Sequence, residues 1–237
     1  MTGTMDTVIR LEDLTKVYHG GGGDVRAVDH LSLSIPSGVS VLAGPSGCGK
    51  STLINLLGAL DRPSSGTVEV AGQVLSDLNE EQIDQFRRKT VGIVFQFFHL
   101  MPVLTVVENI ALPAELAGTH HLEAIQRARE LLERVGLGHR ADHKPHELSG
   151  GEIQRTAIAR ALVNHPAVVL ADEPTGNLDS EASRRVMELF TETVIREGAS
   201  AVVATHDPDV VAQADRVYHL LDGKLESLDE RSAGAVR

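Results

Sequence analysis

Along the first third of the chain, apolar and polar residues alternate. Leu31-Ser32-Leu33-Ser34-Ile35 does so with period two, as does Val68-Glu69-Val70, which predicts half-buried antiparallel strands. Further on, the apolar runs become continuous: Ile93-Val94-Phe95, Val168-Val169-Leu170-Ala171 and Ala201-Val202-Val203-Ala204. Strands buried on both faces of a parallel sheet carry such runs. Each run ends on a polar residue, namely Gln96, Asp172 and Thr205-His206, at the strand end where open α/β sheets bind ligands. Between Gln96 and Pro166 the period becomes helical. Ile125, Ala128, Leu132 and Val135 form one stripe with Gly136 as its C-cap, and a second helix runs from Glu152 to Leu162 before Pro166. The pattern predicts an α/β fold with an N-terminal antiparallel β subdomain, a mostly parallel sheet and a helical lobe inserted at about 97–165. Gly20 to Gly23 reads as a flexible loop, and the mixed charges from Asp222 to Arg237 read as a frayed tail.

Gly44-Pro45-Ser46-Gly47-Cys48-Gly49-Lys50-Ser51 fits G-x-x-x-x-G-K-[ST] without mismatch. Val39-Ser40-Val41-Leu42-Ala43 before it reads as a buried strand, and Leu53, Leu56, Leu57 and Leu60 after it fall on one helix face. A strand, a glycine loop and a helix start form an anion cradle, because unpaired N–H groups and the helix dipole converge there. The chain is therefore expected to bind a nucleoside triphosphate in a P-loop NTPase core, with Lys50 on the β- and γ-phosphates and Ser51 on Mg²⁺. Cys48 sits beside that helix start and a lysine, which predicts a reactive thiol that bound ATP would shield from maleimide.

Two more elements extend the chemistry. Asp172-Glu173 ends an apolar strand; the pair divides into a metal-holding aspartate and a glutamate that orients or deprotonates water. Taken alone, an acidic pair before Pro174 would read equally as a strand terminus. Leu148-Ser149-Gly150-Gly151-Glu152 supplies a second anion-binding helix start, with a hydroxyl and no obstructing side chains. One chain with two such starts suggests that each ATP is gripped by the loop of one subunit and the Ser-Gly-Gly of another.

Together these motifs resemble the nucleotide-binding subunit of ATP-binding-cassette (ABC) transporters, whose signature motif Leu148–Glu152 matches. The resemblance covers nearly the whole chain in the family's motif order. It implies that Tyr18 stacks on adenine, that the phosphate loop extends through Thr52, and that Gln96 couples the γ-phosphate and Mg²⁺ to the helical lobe. It implies Asp172 as metal aspartate and Glu173 as catalytic glutamate. Gly176-Asn177-Leu178-Asp179 would be the loop crossing the dimer interface, with Asp179 near the nucleotide, and His206 the switch histidine on the γ-phosphate. Ile153 departs from the family, many of whose members carry glutamine there. The Ala171–Asp179 stretch and Leu104-Thr105-Val106-Val107-Glu108-Asn109 are similar to the macrolide-exporter and lipoprotein-releasing branch, whose members pair with a separate permease and often transmit force.

Composition narrows the alternatives. A net charge of −11 in 237 residues disfavours a nucleic-acid surface, so no nucleic-acid partner is expected. A single cysteine excludes an internal disulfide and suits a reducing cytoplasm. No stretch reaches the roughly 18–20 apolar residues of a membrane span, and Met1–Asp6 lacks a signal peptide's basic and apolar regions. The expectation is an ATPase, homodimeric on ATP, held at the inner face of the membrane by an integral-membrane permease. A soluble ABC ATPase acting in DNA repair or on ribosomes is the alternative. A P-loop kinase or switch protein would leave Ser149-Gly150-Gly151 and His206 unexplained.

Overall fold

The computed structural model describes residues 7–21 and 23–230, which divide into two compact units. One takes the residues up to Ile83 with those from Ser200 onward, and the other takes Asp84–Ala199. The N-terminal six residues, Gly22 and positions 231–237 lie outside the described residues, and with them the signal-peptide reading and the end of the expected tail.

The first unit contains two sheets. Strands β1 (Thr7–Gly20), β2 (Gly23–Pro36), β4 (Ser65–Val70) and β5 (Gln73–Val74) form an antiparallel sheet in the order β2-β1-β4-β5. Its register explains the alternation in sequence. Ile9 stands opposite Ile35 and Val70, and Leu11 opposite Leu33 and Val68, all buried on one face. Arg10, between them, faces Ser34 and Glu69 on the other side. In the second sheet, β3 (Val39–Ala43) lies between parallel β8 (Ser200–Thr205) and β9 (Arg216–Leu221), and β10 (Lys224–Glu230) pairs antiparallel with β9. Helix α1 (Lys50–Leu57) follows β3 and buries Leu53, Leu56 and Leu57, while α7 (Pro208–Gln213) follows β8. Leu60 lies beyond the end of α1 and is 44% exposed, so it is not part of the helix's buried face. The expected tail is corrected as far as Glu230: Asp222-Gly223 is a two-residue hairpin turn with positive φ at both residues, and β10 follows it.

The second unit is wider than the inserted lobe read at 97–165. The unit boundary falls within α2 (Glu80–Lys89). From there the unit takes in β6 (Val91–Val94), α3 (Val106–Leu116), α4 (His121–Arg134), α5 (Gly150–Leu162), β7 (Val168–Asp172) and α6 (Ser180–Arg196). β6 and β7 pair in parallel with Val94 level with Ala171; Phe95 lies past the end of its strand. In α4 the expected Ala128, Leu132 and Val135 are buried, joined by Ala124 and Leu131, while Ile125 is only half-buried. Gly136 at φ +69 does end this helix.

At Gly92 strand and helix approach closely, since a Cβ there would fall on the backbone of Ala161 in α5. Helix backbone cannot swing aside as a flexible side chain would. Gly92→Ala should therefore cost about 1–3 kcal/mol, the range for overpacking a tight interior, measured as a lowered urea midpoint. An unchanged midpoint would show that α5 gives way freely.

Candidate nucleotide site

In the first unit the phosphate loop runs from the end of β3 into α1, and its shape is imposed by neighbouring backbone. Gly44 has φ +154, and a Cβ there would fall on the Leu220 carbonyl and lie 2.7 Å from Cys48 Sγ. Gly49, the N-cap of α1, has φ +104, and a Cβ there would fall on the Ala27 carbonyl. At Gly47, φ +82, a Cβ would meet nothing within 4 Å, so this bend of the loop faces open space. Lys50 is buried and its Nζ donates to the carbonyls of Gly44 and Pro45 at 2.8 and 3.1 Å. The ammonium is thus already placed inside the loop it would share with a phosphate chain. Pro45, Ser46 and Ser51 are exposed, and Thr52 is half-buried on the first turn of α1. Glycines that only a bare backbone can satisfy, an open bend, a buried cation and a helix start whose N-cap glycine offers no side-chain cap fit a phosphate chain. Cys48 is corrected: it is only 3% exposed, with its thiol against Gly44, so it is not open to maleimide as expected.

Tyr18 lies near the end of β1, and its hydroxyl donates to Asp61 Oδ2 at 2.8 Å. Lys16 Nζ donates to Asp61 Oδ1 at 2.6 Å and to the Arg62 carbonyl at 2.8 Å, and it stands 4.8 Å from the centre of the Tyr18 ring. Burial pushes the Asp61 carboxyl up, but hydrogen bonds from Lys16, Tyr18 and the Arg62 amide outweigh it and hold the group below its ordinary value. Burial first, and the bond to Asp61 second, push the Tyr18 hydroxyl up. Neither Lys16 nor Asp61 was singled out from sequence. Lys16 stands two residues from Tyr18 on one strand, which hinted at a shared face; Asp61 is 43 residues away and left no local sign.

His206 follows the last residue of β8. Because Ala43 is level with Thr205, the strand ends bring His206 beside Gly44 and Pro45. These residues line one hollow of about 460 Å³ together with Pro208, Val211 and His219. Asp207 caps α7, accepting from the Asp209 amide at 2.9 Å, and fixes the chain just beyond His206.

In the second unit the parallel register of β6 and β7 sets Gln96 at the same edge as Asp172 and Glu173. Glu173 has φ +44, a left-handed conformation that costs a non-glycine residue about 1 kcal/mol or more. Asn177 Nδ2 donates to the Gln96 carbonyl at 2.9 Å, and a Cβ on Gly176 would lie 3.3 Å from Gln96 Nε2. Beyond Gln96, Phe98 and His99 also have positive φ, and half-buried Arg160 donates to both their carbonyls at 2.6 Å. That burial pushes the Arg160 guanidinium below its ordinary value. Gln96 is thus anchored on both sides, through contacts that sequence did not indicate.

Ser149 is the N-cap of α5 and shares a capping box with Glu152. Ser149 N and Oγ donate to Glu152 Oε2 at 2.9 and 2.7 Å, and Glu152 N donates back to Ser149 Oγ at 3.4 Å. Leu178 packs on Gly150, where a Cβ would stand 3.3 Å from its Cδ2. Asp179 caps α6, accepting from the Ala182 amide at 2.9 Å. Ser149, Gly150, Gly151 and Asp179 line a hollow of about 650 Å³ with Arg155 and Arg185. The structure therefore joins the two motifs expected to face another subunit. Ile153 is half-buried on α5, behind this helix start.

A family model described as ABC transporter matches residues 28–176, which span the phosphate loop, the signature motif and the acidic pair. The chain belongs to the ABC transporter family. The lipoprotein-releasing system ATP-binding protein LolD of Pseudomonas fluorescens is 48% identical over 222 residues, covering 93% of this chain and 98% of that one. LolD of Chromohalobacter salexigens is 45% identical over 221 residues, covering 93% of each. Among solved structures, the dimeric cassette MJ0796 superposes with a TM-score of 0.84 at 39% identity over 94% of this chain and 98% of that one. A post-hydrolysis state of MJ0796 bound to ADP and Pi also gives 0.84, at 38% identity over the same shares of the two chains. The chain is an ABC nucleotide-binding subunit of a transporter, with the ATPase activity and ATP binding that membership carries. Nothing in these relatives supports the DNA-repair or ribosome alternative. Among the described residues no helix is long and apolar enough to cross a membrane.

The capping box has a pH signature. The Ser149 amide, then its hydroxyl, then Arg140 hold Glu152 well down, from 4.5 to about 2, against a smaller push up from burial. A depressed carboxylate stabilises the fold fully above its unfolded value and loses that contribution as pH falls from 4.5 toward 2. Glu152→Gln keeps an acceptor for Ser149 but removes the charge. Its stability, followed by chemical denaturation, should fall less steeply than the parent's across that window. Parallel curves would contradict the assignment.

Proposed function

We propose that this chain is the motor subunit of a lipoprotein-releasing type complex, in which ATP binding and hydrolysis drive an integral-membrane permease from its cytoplasmic side. The observation that carries the reading is the coexistence of two anion-ready helix starts, the Gly44–Ser51 cradle and the Ser149-Gly150-Gly151 hollow. In this reading Lys50 neutralises the β- and γ-phosphates, Tyr18 stacks on the base, and the N–H groups of the loop from Gly44 through Thr52 carry the phosphate chain. Glu173 orients the attacking water and accepts its proton, His206 donates to the γ-phosphate, and Gln96 reports the γ-phosphate to the helices that follow it. Ser51, Asp172 and Gln96 would hold Mg²⁺, which supplies neutralising charge on the phosphates. Ser149, Gly150, Gly151 and Asp179 act on the nucleotide of a second copy, so that ATP closes a head-to-tail homodimer.

Exposed apolar residues just after Gln96 support the permease partner. Phe97 is 66% and Val103 73% exposed, with Met101 also uncovered, on the segment joining β6 to α3. Apolar groups concentrated next to a nucleotide-sensing residue suit a coupling contact.

Glu173→Gln should lower turnover about 10²-fold or more, the upper range for losing a positioned base, with ATP affinity kept. Parental turnover would refute the role of Glu173. Lys50→Ala should instead weaken ATP binding itself, measured by calorimetry.

Shared sites predict complementation. Lys50→Ala and Ser149→Arg subunits, each inactive alone, should regain part of the ATPase activity when mixed, because one composite site then carries both lesions and the other none. Glu173→Gln sedimenting as a monomer in saturating ATP would end the shared-site reading.

A further inference from the structure

Asp61 is a carboxylate that none of the nucleotide motifs includes, yet it receives both polar groups of the base platform. Its Oδ2 accepts from the Tyr18 hydroxyl at 2.8 Å and its Oδ1 from Lys16 Nζ at 2.6 Å. Lys16 is nearly covered, with 12% of its side chain exposed, and its ammonium is also held by the Arg62 carbonyl. The same ammonium lies 4.8 Å from the Tyr18 ring centre, so one face of the ring is occupied by a cation and the other is left for a ligand. Thr52, on the first turn of α1, also acts on the Tyr18 hydroxyl, lowering its pKa against the upward push of Asp61. The ring is therefore tied at its far end to Asp61.

We infer that Asp61 is a positioning residue that, with Lys16, fixes the Tyr18 ring relative to the phosphate loop and thereby sets affinity for the base of the nucleotide. This rests on the reading of Tyr18 as the base-stacking residue. The physical argument concerns preorganisation. An aromatic ring 40% exposed at a strand end would sample several rotamers, and stacking would have to freeze them. The Tyr18–Asp61 bond freezes the ring beforehand, and the partly covered Lys16 cation keeps Asp61 charged and in place. A nucleotide then meets a platform already set at the correct reach from Lys50. The effect should belong to the base end, since the bonds of this group run from Lys16 and Tyr18 to Asp61 and from Lys16 to the Arg62 carbonyl.

Two probes separate the ends of the nucleotide: ADP, which has base and phosphates, and pyrophosphate, which has phosphates only. By titration calorimetry, Tyr18→Phe and Asp61→Ala should each weaken ADP about 3- to 10-fold, the range for one lost hydrogen bond, and leave pyrophosphate unchanged. The double variant should be no weaker than the worse single one, because both remove the same bond. Asp61→Asn keeps an acceptor for Tyr18 and should lie closer to the parent than Asp61→Ala. If Asp61→Ala fails to fold, Tyr18→Phe and Asp61→Asn carry the test. Equal weakening of ADP and pyrophosphate would overturn the inference, placing Asp61 in the support of the phosphate loop. Tyr18→Phe matching the parent while Tyr18→Ala weakens ADP would also overturn it, leaving the stacking reading intact. Tyr18→Ala matching the parent would instead refute stacking itself.

Discussion

The phosphate loop is held by backbone meeting backbone. The Leu220 carbonyl abuts Gly44 and the Ala27 carbonyl abuts Gly49, so that no side chain fits at either end. The loop's shape therefore comes from β2 and β9, not from a bound ligand. The Asp222-Gly223 turn completes the support: Gly223 N donates to the Cys48 carbonyl at 3.0 Å, and its own carbonyl accepts from the Asp29 amide at 2.9 Å. Asp29 is in turn fixed by Lys224 and Arg26, whose hydrogen bonds lower its carboxyl below the usual range. A segment far along the chain thus shapes a loop near its start, and that long-range packing makes the cradle ready before any anion arrives.

Much of this was legible in the sequence. The phosphate loop, the signature helix start and the acidic strand end are local patterns, and a local pattern fixes backbone conformation through the residues that carry it. The strands with continuous apolar runs were legible for the same reason. What failed were features decided by distant partners. The β9–β10 hairpin was announced by Asp222-Gly223, a strong turn signal, but Lys224–Glu230 has only Leu225 partly covered and reads as solvent-facing chain. Cys48 looked reactive from its neighbours in sequence, yet it is buried, with its thiol against Gly44 of the loop. Asp61 lies in a turn whose composition gives no hint of Tyr18.

The second unit shows the opposite balance, with backbone strain accepted beside Gln96 and at Glu173. Glu173, Phe98 and His99 all sit in left-handed conformations. They persist because Arg160 clamps the two carbonyls after Gln96, while Asn177 ties the Gln96 backbone to the loop after Glu173. These bonds link three stretches of the chain that must respond together if loss of a phosphate is to move a helix. Movement of one is passed on as displacement of a rigid neighbour.

The two helix starts also explain why an anion suits this protein better than a neutral ligand. Each start carries the partial positive charge of a helix N-terminus. At α5 the charge is partly answered from within, since Glu152 folds back on Ser149 and stays ionised down to about pH 2. At α1 no acidic residue lies in the first turn, and Lys50 adds a full positive charge to the same end. The phosphate loop therefore carries the larger electrostatic demand, and the signature start the smaller. A triphosphate bound first at the loop would bring enough negative charge to meet the second start as well. In the proposed shared site, this balance of charge sets an order: nucleotide to the phosphate loop first, and the second copy's Ser149-Gly150-Gly151 afterwards.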